Sequence, residues 1–288
     1  MRIGVSSNDA GAANLIAYFV KNSHKNDSFI FNLDGPALNI FNKVLGSIKT
    51  HDIQDVVMNS DVLISGTGWQ SRFEHDARST FKSHSKRIIS VLDHWINYEE
   101  RFKYEKGDFL SDEIWVFDKY ALDLAHQSFP DTLIELKKNY YLEHVLAKIE
   151  NFQEKNVKES FLYVLEPCRE TKFTSKGDEH TCIDLFFKYF NKNFLNDTQI
   201  TFRPHPSERT DKYNYLYEKY PMKNILIDND QSLEFQIANS THVVGVESMA
   251  LYIAYKANKN IICTKLKSHD RLKLPIVSAL ELRNVPHV

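Results

Sequence analysis

A charge imbalance is the first thing this chain lacks. Its 288 residues carry 36 Lys and Arg against 38 Asp and Glu, a formal charge of -2, so there is no basic footprint for a nucleic acid. Cysteine is scarce: Cys168, Cys182 and Cys263 are few, odd in number and far apart. Such thiols give neither a metal-ligand spacing nor a disulfide framework, and a reducing, cytoplasmic compartment is the expectation. No uncharged apolar run approaches the length of a membrane span. The chain opens directly on Arg2-Ile3-Gly4-Val5, where a first strand is expected and not a secretory leader. Peripheral docking at the inner face of a membrane stays compatible with all of this. No internal repeat or low-complexity tract is visible. Aromatics, in contrast, are plentiful, with 14 Tyr and 19 Phe, which fill a core and leave some rings to stack on a ligand.

The length suits two ordinary domains or one large one. Up to about residue 130, strands alternate with helices: Ile3 to Ser6, Phe29 to Leu33, Asp61 to Ser65, Arg87 to Leu92 and Glu113 to Phe117 are apolar strand runs. Leu15, Ile16, Phe19 and Val20 share one helical face, and Pro36 stands where a helix begins. From about 131 to 158 the character is helical and charged, with no strand expected. The alternation then resumes, with Ile183, Phe186, Phe187 and Phe190 at the spacing of a helix packed on a sheet. Strands alternating with helices imply α/β architecture with parallel sheets. The expected domains are 1–135, a helical linker 136–158, and 159–288.

Within the second half, Thr201-Phe202-Arg203-Pro204-His205-Pro206-Ser207-Glu208 leaves a strand and breaks at once. Each proline fixes its own φ and pushes the preceding residue out of helix. His205 is thereby held in an extended loop at a strand end, where ligands of α/β sheets bind. With Arg203 beside it, the pair suits a phosphate, although a rigid surface turn accounts for the segment equally well. About forty residues on, Val243-Val244-Gly245-Val246-Glu247-Ser248-Met249 takes a strand into a helix. Two roles are open to Ser248: capping its own helix, or adding a hydroxyl to the anion site that a helix N-terminus provides.

This combination of an R-P-H-P turn, then a Ser-headed helix, then A-L-Y-I-A-Y-K-A-N-K-N-I-I resembles the C-terminal half of GT-B-fold glycosyltransferases that use CMP-activated sugars. These include bacterial sialyl- and polysialyltransferases and 3-deoxy-octulosonate transferases. The resemblance covers roughly residues 160 to 265, and the first half by architecture only. It implies two Rossmann-like domains facing across a cleft. It further implies transfer of a nonulosonate or octulosonate from a CMP donor to a glycan hydroxyl in surface-polysaccharide synthesis. His205 and Pro206 match the family's His-Pro motif and Ser248 its serine motif, with Glu247 where a first serine is usual and Met249 next in the helix. Glycerophosphate transferases and UDP-N-acetylglucosamine epimerases carry similar C-terminal halves. A CDP-polyol phosphotransferase, a UDP-sugar enzyme, or a non-catalytic nucleotide-binding partner of a larger synthase are the alternatives.

A transferase needs a base for the acceptor hydroxyl, and three strand ends of the first half carry polar clusters. Asn8-Asp9 and Gly11 follow the first strand, Thr67-Gly68-Trp69 the third, and Asp93-His94-Trp95 with Tyr98 the fourth. Asp9 is one candidate base, and its competing role is to cap the next helix, which would lower its pKa unless the site desolvates it. The Asp93–His94 pair is the other, with Trp95 or Tyr98 stacking on a sugar or filling the core. Asn8, Gly11, Thr67, Gly68 and Trp69 would complete the acceptor side. Arg101 either neutralises an acceptor carboxylate or is a solvated helix residue. Glu166, at the end of the first strand of the second half, could meet the nucleoside. No metal or other cofactor is expected: Asp228-Asn229-Asp230 fits an Asx turn better than a cation site. Phosphate charge would then fall to Arg203, His205, helix N-termini and Lys212.

Overall fold

The computed structural model describes residues 1–68, 71–103, 110–168, 178–266 and 272–285. The chain forms two compact units, Met1–Glu143 and His144–Val288. In the first, the elements run β1 (Arg2–Ser7), α1 (Ala10–Lys21), β2 (Ser28–Leu33), α2 (Gly35–Leu45), α3 (Ile53–Asn59), β3 (Val62–Ser65), α4 (Phe73–Ser83), β4 (Arg87–Val91), β5 (Glu113–Val116), α5 (Lys119–Ser128) and β6 (Leu133–Leu136). The sheet has the order β2-β1-β3-β4-β5-β6 with every pairing parallel. Strands β3 and β5 are buried at all four positions, the continuous apolar run of a parallel strand covered on both faces. Asp9, Asp52 and Asp118 cap α1, α3 and α5 through side-chain bonds.

The helix α6 (Tyr140–Phe152) carries the division between the units. It lies inside the stretch 136–158 expected as the linker, but the wider stretch from about 131 to 158, expected to hold no strand, does hold one. Leu133 to Leu136 pairs in register with β5 as a sixth strand. It escapes sequence notice because it lies at the sheet edge, with Leu133 and Leu136 52% and 45% exposed. Helix α3 was likewise not anticipated.

The second unit runs β7 (Ser160–Val164), α7 (Glu179–Asn193), β8 (Gln199–Arg203), a 3-10 turn (Thr210–Tyr213), α8 (Tyr215–Lys219), β9 (Ile225–Ile227), α9 (Leu233–Ala238), β10 (His242–Gly245), α10 (Met249–Lys256), β11 (Asn260–Cys263) and β12 (Leu280–Glu281). Its parallel sheet has the order β12-β11-β10-β7-β8-β9. The apolar face of α7 meets this sheet as the spacing predicts, with Ile183, Phe186, Phe187 and Phe190 packed against Phe161, Tyr163 and Phe202. Among the described residues no helix is long and apolar enough to cross a membrane.

Each sheet reverses direction once. In the first unit the chain lays β2 on one side of β1 and then β3 on the other. In the second, β8 and β9 extend from one side of β7, and β10 and β11 from the other. At such reversals the loops leaving two adjacent carboxyl ends part, and a crevice for a ligand results. Asp9 and Gly68 follow the two strands of the first reversal, Glu166 and Ser248 those of the second.

Phe186 is fully buried and meets the rings of Phe161, Tyr163, Phe187 and Phe190. Phe186→Ala is expected to destabilise by about 3–5 kcal/mol, read as a lower urea midpoint for the full chain followed by circular dichroism.

Candidate functional site

Three carboxylates converge at the carboxyl edge of the first sheet. Asp9 leaves β1 and caps α1: its Oδ1 accepts from Gly11 N at 2.8 Å and Ala12 N at 3.2 Å. Its Oδ2 is buried and has no partner among the described residues. Glu74, in the first turn of α4, is 1% exposed. Its Oε1 accepts from Asn8 N at 2.9 Å and Ser7 Oγ at 3.3 Å, and its Oε2 from Gly68 N at 2.5 Å. One side chain thus ties the loop after β1 to the loop after β3. Asp93, after β4, accepts from Arg101 Nη1 at 2.6 Å.

Glycine makes this convergence fit. A Cβ on Gly11 would stand 1.8 Å from Asp93 Oδ2, and one on Gly68 would stand 2.5 Å from Asp9 Oδ2 and 2.7 Å from Glu74 Oε2. No other residue leaves room for the acids to approach the backbone so closely.

Two buried guanidiniums offset the negative charge. Arg101 Nη1 also donates to Thr67 Oγ1 at 3.2 Å, and its Nε to Ile96 O at 3.2 Å. Thr67 in turn donates to Val91 O at 2.8 Å. Arg78 is fully buried and donates to Gly66 O at 2.6 Å and Arg101 O at 3.3 Å. Desolvation draws Arg78 down to about 10, against the pull of Glu74.

The protonation states follow from burial first. Desolvation, with the charges of Asp93 and Glu74, raises Asp9 to about 7, outweighing the bond from Ala12 N and the charge of Arg101. Burial raises Glu74 as well. Asp9 therefore does cap its helix, yet burial and neighbouring acids reverse the lowering that capping alone would bring.

The other expected acceptor residues fare differently. The Asp93 carboxylate is committed to Arg101, while His94 packs its ring on Trp95 at 5.2 Å. Trp95 and Tyr98 are 7% and 6% exposed; the first donates from Nε1 to Asp118 Oδ2 at 2.8 Å and the second stacks on Phe129. Their rings belong to the core and offer no open face to a sugar. Asn8 contributes its backbone, donating to Glu74 and accepting from Ala37 N at 3.1 Å. Trp69 lies outside the described residues. Glu74 and Arg78 were missed in sequence, where they belong to a polar helical stretch and an acid in a first turn is ordinary. The signal that could have found Glu74 is the two-glycine strand end just before it, Gly66-Thr67-Gly68.

In the second unit, the loop after β8 and the start of α10 stand at the same sheet edge, one strand, β7, lying between β8 and β10. That is a separation of roughly 10 Å. Ser248 has the extended backbone of an N-cap, but its side chain makes no cap bond, and its Oγ is buried with no partner among the described residues. The capping role is thus not taken. His205 is exposed, its Nδ1 accepting from Ser207 N at 3.2 Å, and Pro206 beside it is exposed.

Arg203 departs from expectation. It donates to Gln231 O and Gln236 Oε1, each at 2.7 Å, so its guanidinium holds the start of α9. Half-burial lowers its pKa. Lys212 is engaged by Glu179 at 2.8 Å and Glu208 at 2.7 Å. Glu247 is also turned away from a nucleotide role: both its oxygens accept from the buried Lys265 Nζ at 3.0 Å, and Oε1 from Lys273 N at 2.6 Å. Glu166 Oε1 accepts from Glu247 N at 2.6 Å, joining the two strand ends of the reversal. Met249 begins α10. Asp228 accepts from Asp230 N at 2.8 Å, the Asx turn expected. Asp178, Glu179 and His180 are a group within metal-binding reach of one another, but Glu179 already pairs with Lys212 and Asp178 accepts from Thr181 Oγ1 at 2.9 Å.

No protein-family model and no curated protein matches the sequence. Solved structures do match. A Methanocaldococcus jannaschii UDP-GlcNAc 2-epimerase in complex with UDP-GlcNAc and UDP is 11% identical, with TM-score 0.62 over 97% of this chain and 88% of its own. A Neisseria meningitidis UDP-GlcNAc 2-epimerase bound to UDP-GlcNAc is 11% identical, with TM-score 0.61 over 91% and 82%. The glycotransferase of kitacinnamycin is 11% identical, with TM-score 0.57 over 99% and 87%. Two six-stranded parallel sheets with surrounding helices, matched over nearly the whole chain, define the fold as GT-B-like, built from two Rossmann-like domains.

The raised pKa of Asp9 has a consequence for stability. The folded state holds this proton up to about 7 and the unfolded chain only to its ordinary value of 3.8. The stabilisation from the protonated group is therefore complete below about pH 4 and is lost as pH rises through 7. Asp9→Asn keeps a neutral group there at every pH. It is expected to leave the melting temperature little changed at about pH 3.5, to raise it modestly at pH 5, and to raise it by several degrees more at pH 8, measured by differential scanning calorimetry.

Proposed function

We propose that this chain is an enzyme acting on a UDP-linked sugar, with Asp9 moving the proton. The observation that carries the reading is Asp9 itself: an oxygen buried without a partner, on a carboxyl raised to about 7, at the reversal point of a parallel sheet. A base whose pKa lies near the working pH is both ionised often enough and basic enough to accept a proton. Glu74 and Asp93 are held by backbone amides and Arg101, which leaves Asp9 as the acid–base group and the others as the field around it. In the second unit, Ser248 Oγ, the amides at the start of α10, and His205 would meet the phosphates. Charge that grows on the departing phosphate is stabilised there.

One proton-accepting carboxyl serves two reactions of such a donor: transfer of the sugar to a hydroxyl, and epimerisation at a ring carbon. Solved structures of both kinds resemble the fold. The UDP preference takes its support from the epimerases solved with UDP-GlcNAc. A CMP-linked nonulosonate or octulosonate, transferred to a glycan hydroxyl, is the second reading. One observation favours it: Arg203 and Lys212 are occupied within the protein, so of the cations expected for the phosphates neither is left for a second one, and CMP has only one. In either reading no metal is required, and excess EDTA should leave turnover intact.

Isothermal calorimetry with UDP, CDP and CMP separates the donors: tighter binding of UDP is expected, and a preference for CMP would return the second reading to first place. With UDP-N-acetylglucosamine as substrate, proton NMR distinguishes a new epimer from UDP released to an acceptor. The kcat/KM should rise with pH through a midpoint near 7 as Asp9 loses its proton. Asp9→Asn should lower kcat by about 10²–10⁴-fold with nucleotide affinity kept. Nucleotide binding with no turnover on any donor would instead indicate a non-catalytic partner.

A further inference from the structure

The turn after β8 contains an acid whose position on an exposed loop does not account for its burial. The Glu208 side chain is 2% exposed. Its Oε2 accepts from His205 N at 3.1 Å, while Glu208 N donates to His205 O at 2.9 Å. Residues 205 to 208 are thus closed by two reciprocal bonds, one from the backbone and one to the side chain. Oε1 of the same carboxylate accepts from Lys212 Nζ and Tyr213 Oη, each at 2.7 Å. Lys212 carries the connection on to Glu179, in the first turn of α7, at 2.8 Å. The turn that presents His205 is therefore anchored through one carboxylate to a buried part of the domain.

Within that frame the imidazole is not indifferent to its orientation. Its Nδ1 accepts from Ser207 N at 3.2 Å and lies 2.7 Å from Ser207 Oγ. A ring nitrogen that accepts a backbone N–H cannot also carry the proton, so the neutral ring carries it at Nε2. Which nitrogen accepts depends on where Ser207 N points, and the direction of Ser207 N depends on the closure of the turn.

We propose that Glu208 is the positioning residue for His205. By closing the 205–208 turn it holds the imidazole as its Nε2–H tautomer, which offers an anionic ligand a hydrogen-bond donor while the ring is neutral. This inference rests on assigning the nucleotide to the second unit. The opposite tautomer would present a lone pair to a phosphate oxygen and lose the bond. A carboxylate is needed at 208 because three donors converge on it, from His205 N, Lys212 and Tyr213. An amide would set its own N–H groups against one of them.

Long-range proton–nitrogen spectra of the full chain with labelled histidine report the tautomer without any nucleotide, the His205 signal being assigned by its loss in His205→Gln. The neutral wild-type ring is expected as Nε2–H. Glu208→Gln should mix the tautomers and weaken UDP binding about tenfold by calorimetry. Tyr213→Phe, which removes one donor and keeps the ring, should shift the tautomer the same way by less. Comparable populations of both tautomers in the wild type would overturn the proposal, as would an unchanged tautomer in Glu208→Gln. If the tautomer shifts but neither UDP nor CMP binds the wild type, the positioning role stands and the nucleotide assignment falls. Should Glu208→Gln fail to fold, the wild-type tautomer and Tyr213→Phe decide the matter.

Discussion

The edge of the first sheet depends on a carboxylate that water does not reach. Glu74 gathers the backbone of Asn8 and Gly68 and the hydroxyl of Ser7. These three donors come from the two loops that part at the reversal between β1 and β3. Burying an acid is unfavourable unless its oxygens are satisfied, and here satisfying them is what fixes the loops. Once Glu74 is in place, Gly68 stands within reach of Asp9 as well, and the acids must share a confined, poorly solvated volume. Burial first, and then their mutual repulsion, make a proton on Asp9 favourable near neutral pH. Arg101 and Arg78 prevent that repulsion from opening the loops, since each guanidinium binds loop carbonyls or hydroxyls as well as standing near the acids.

The second sheet uses the same location with a different balance. Its reversal lies between β7 and β10, and Glu166 bridges it by accepting from Glu247 N. Here the charges are paired within the protein, Glu247 with Lys265 and Arg203 with the α9 region. Among the described residues, a serine hydroxyl without a partner and an exposed imidazole are left over. An edge of this kind can bind an anion through hydrogen bonds and a helix dipole, which is the role proposed for it.

Much of this frame is legible in the sequence because it rests on local periodicity. Apolar runs marked the central strands, and the spacing of Ile183, Phe186, Phe187 and Phe190 marked the helix that covers one sheet. Asp9 was legible because an acid after a first strand and before small residues is a local pattern. Glu74 was not, since its importance comes from donors 66 and 67 residues earlier in the chain. Arg203 shows the converse failure. Its spacing from His205 suggested a shared phosphate, but Gln236, 33 residues on, had the prior claim to its guanidinium. Edge strand β6 was missed for a third reason, because half-exposed leucines flanking a charged residue carry little strand signal.

The pairing of Glu247 with Lys265 has an evolutionary corollary. Both groups are nearly inaccessible, with side chains 4% and 2% exposed. Removing either one takes away its partner's counter-charge in a dry interior, a change that typically costs about 3–5 kcal/mol, whereas exchanging both for apolar side chains of matching volume leaves chiefly the Lys273 N–H to be satisfied. The two positions are therefore linked in inheritance: a lineage can cross from the ionic to the apolar version only by changing them together. Descendants of this chain should show an acid and a lysine, or neither.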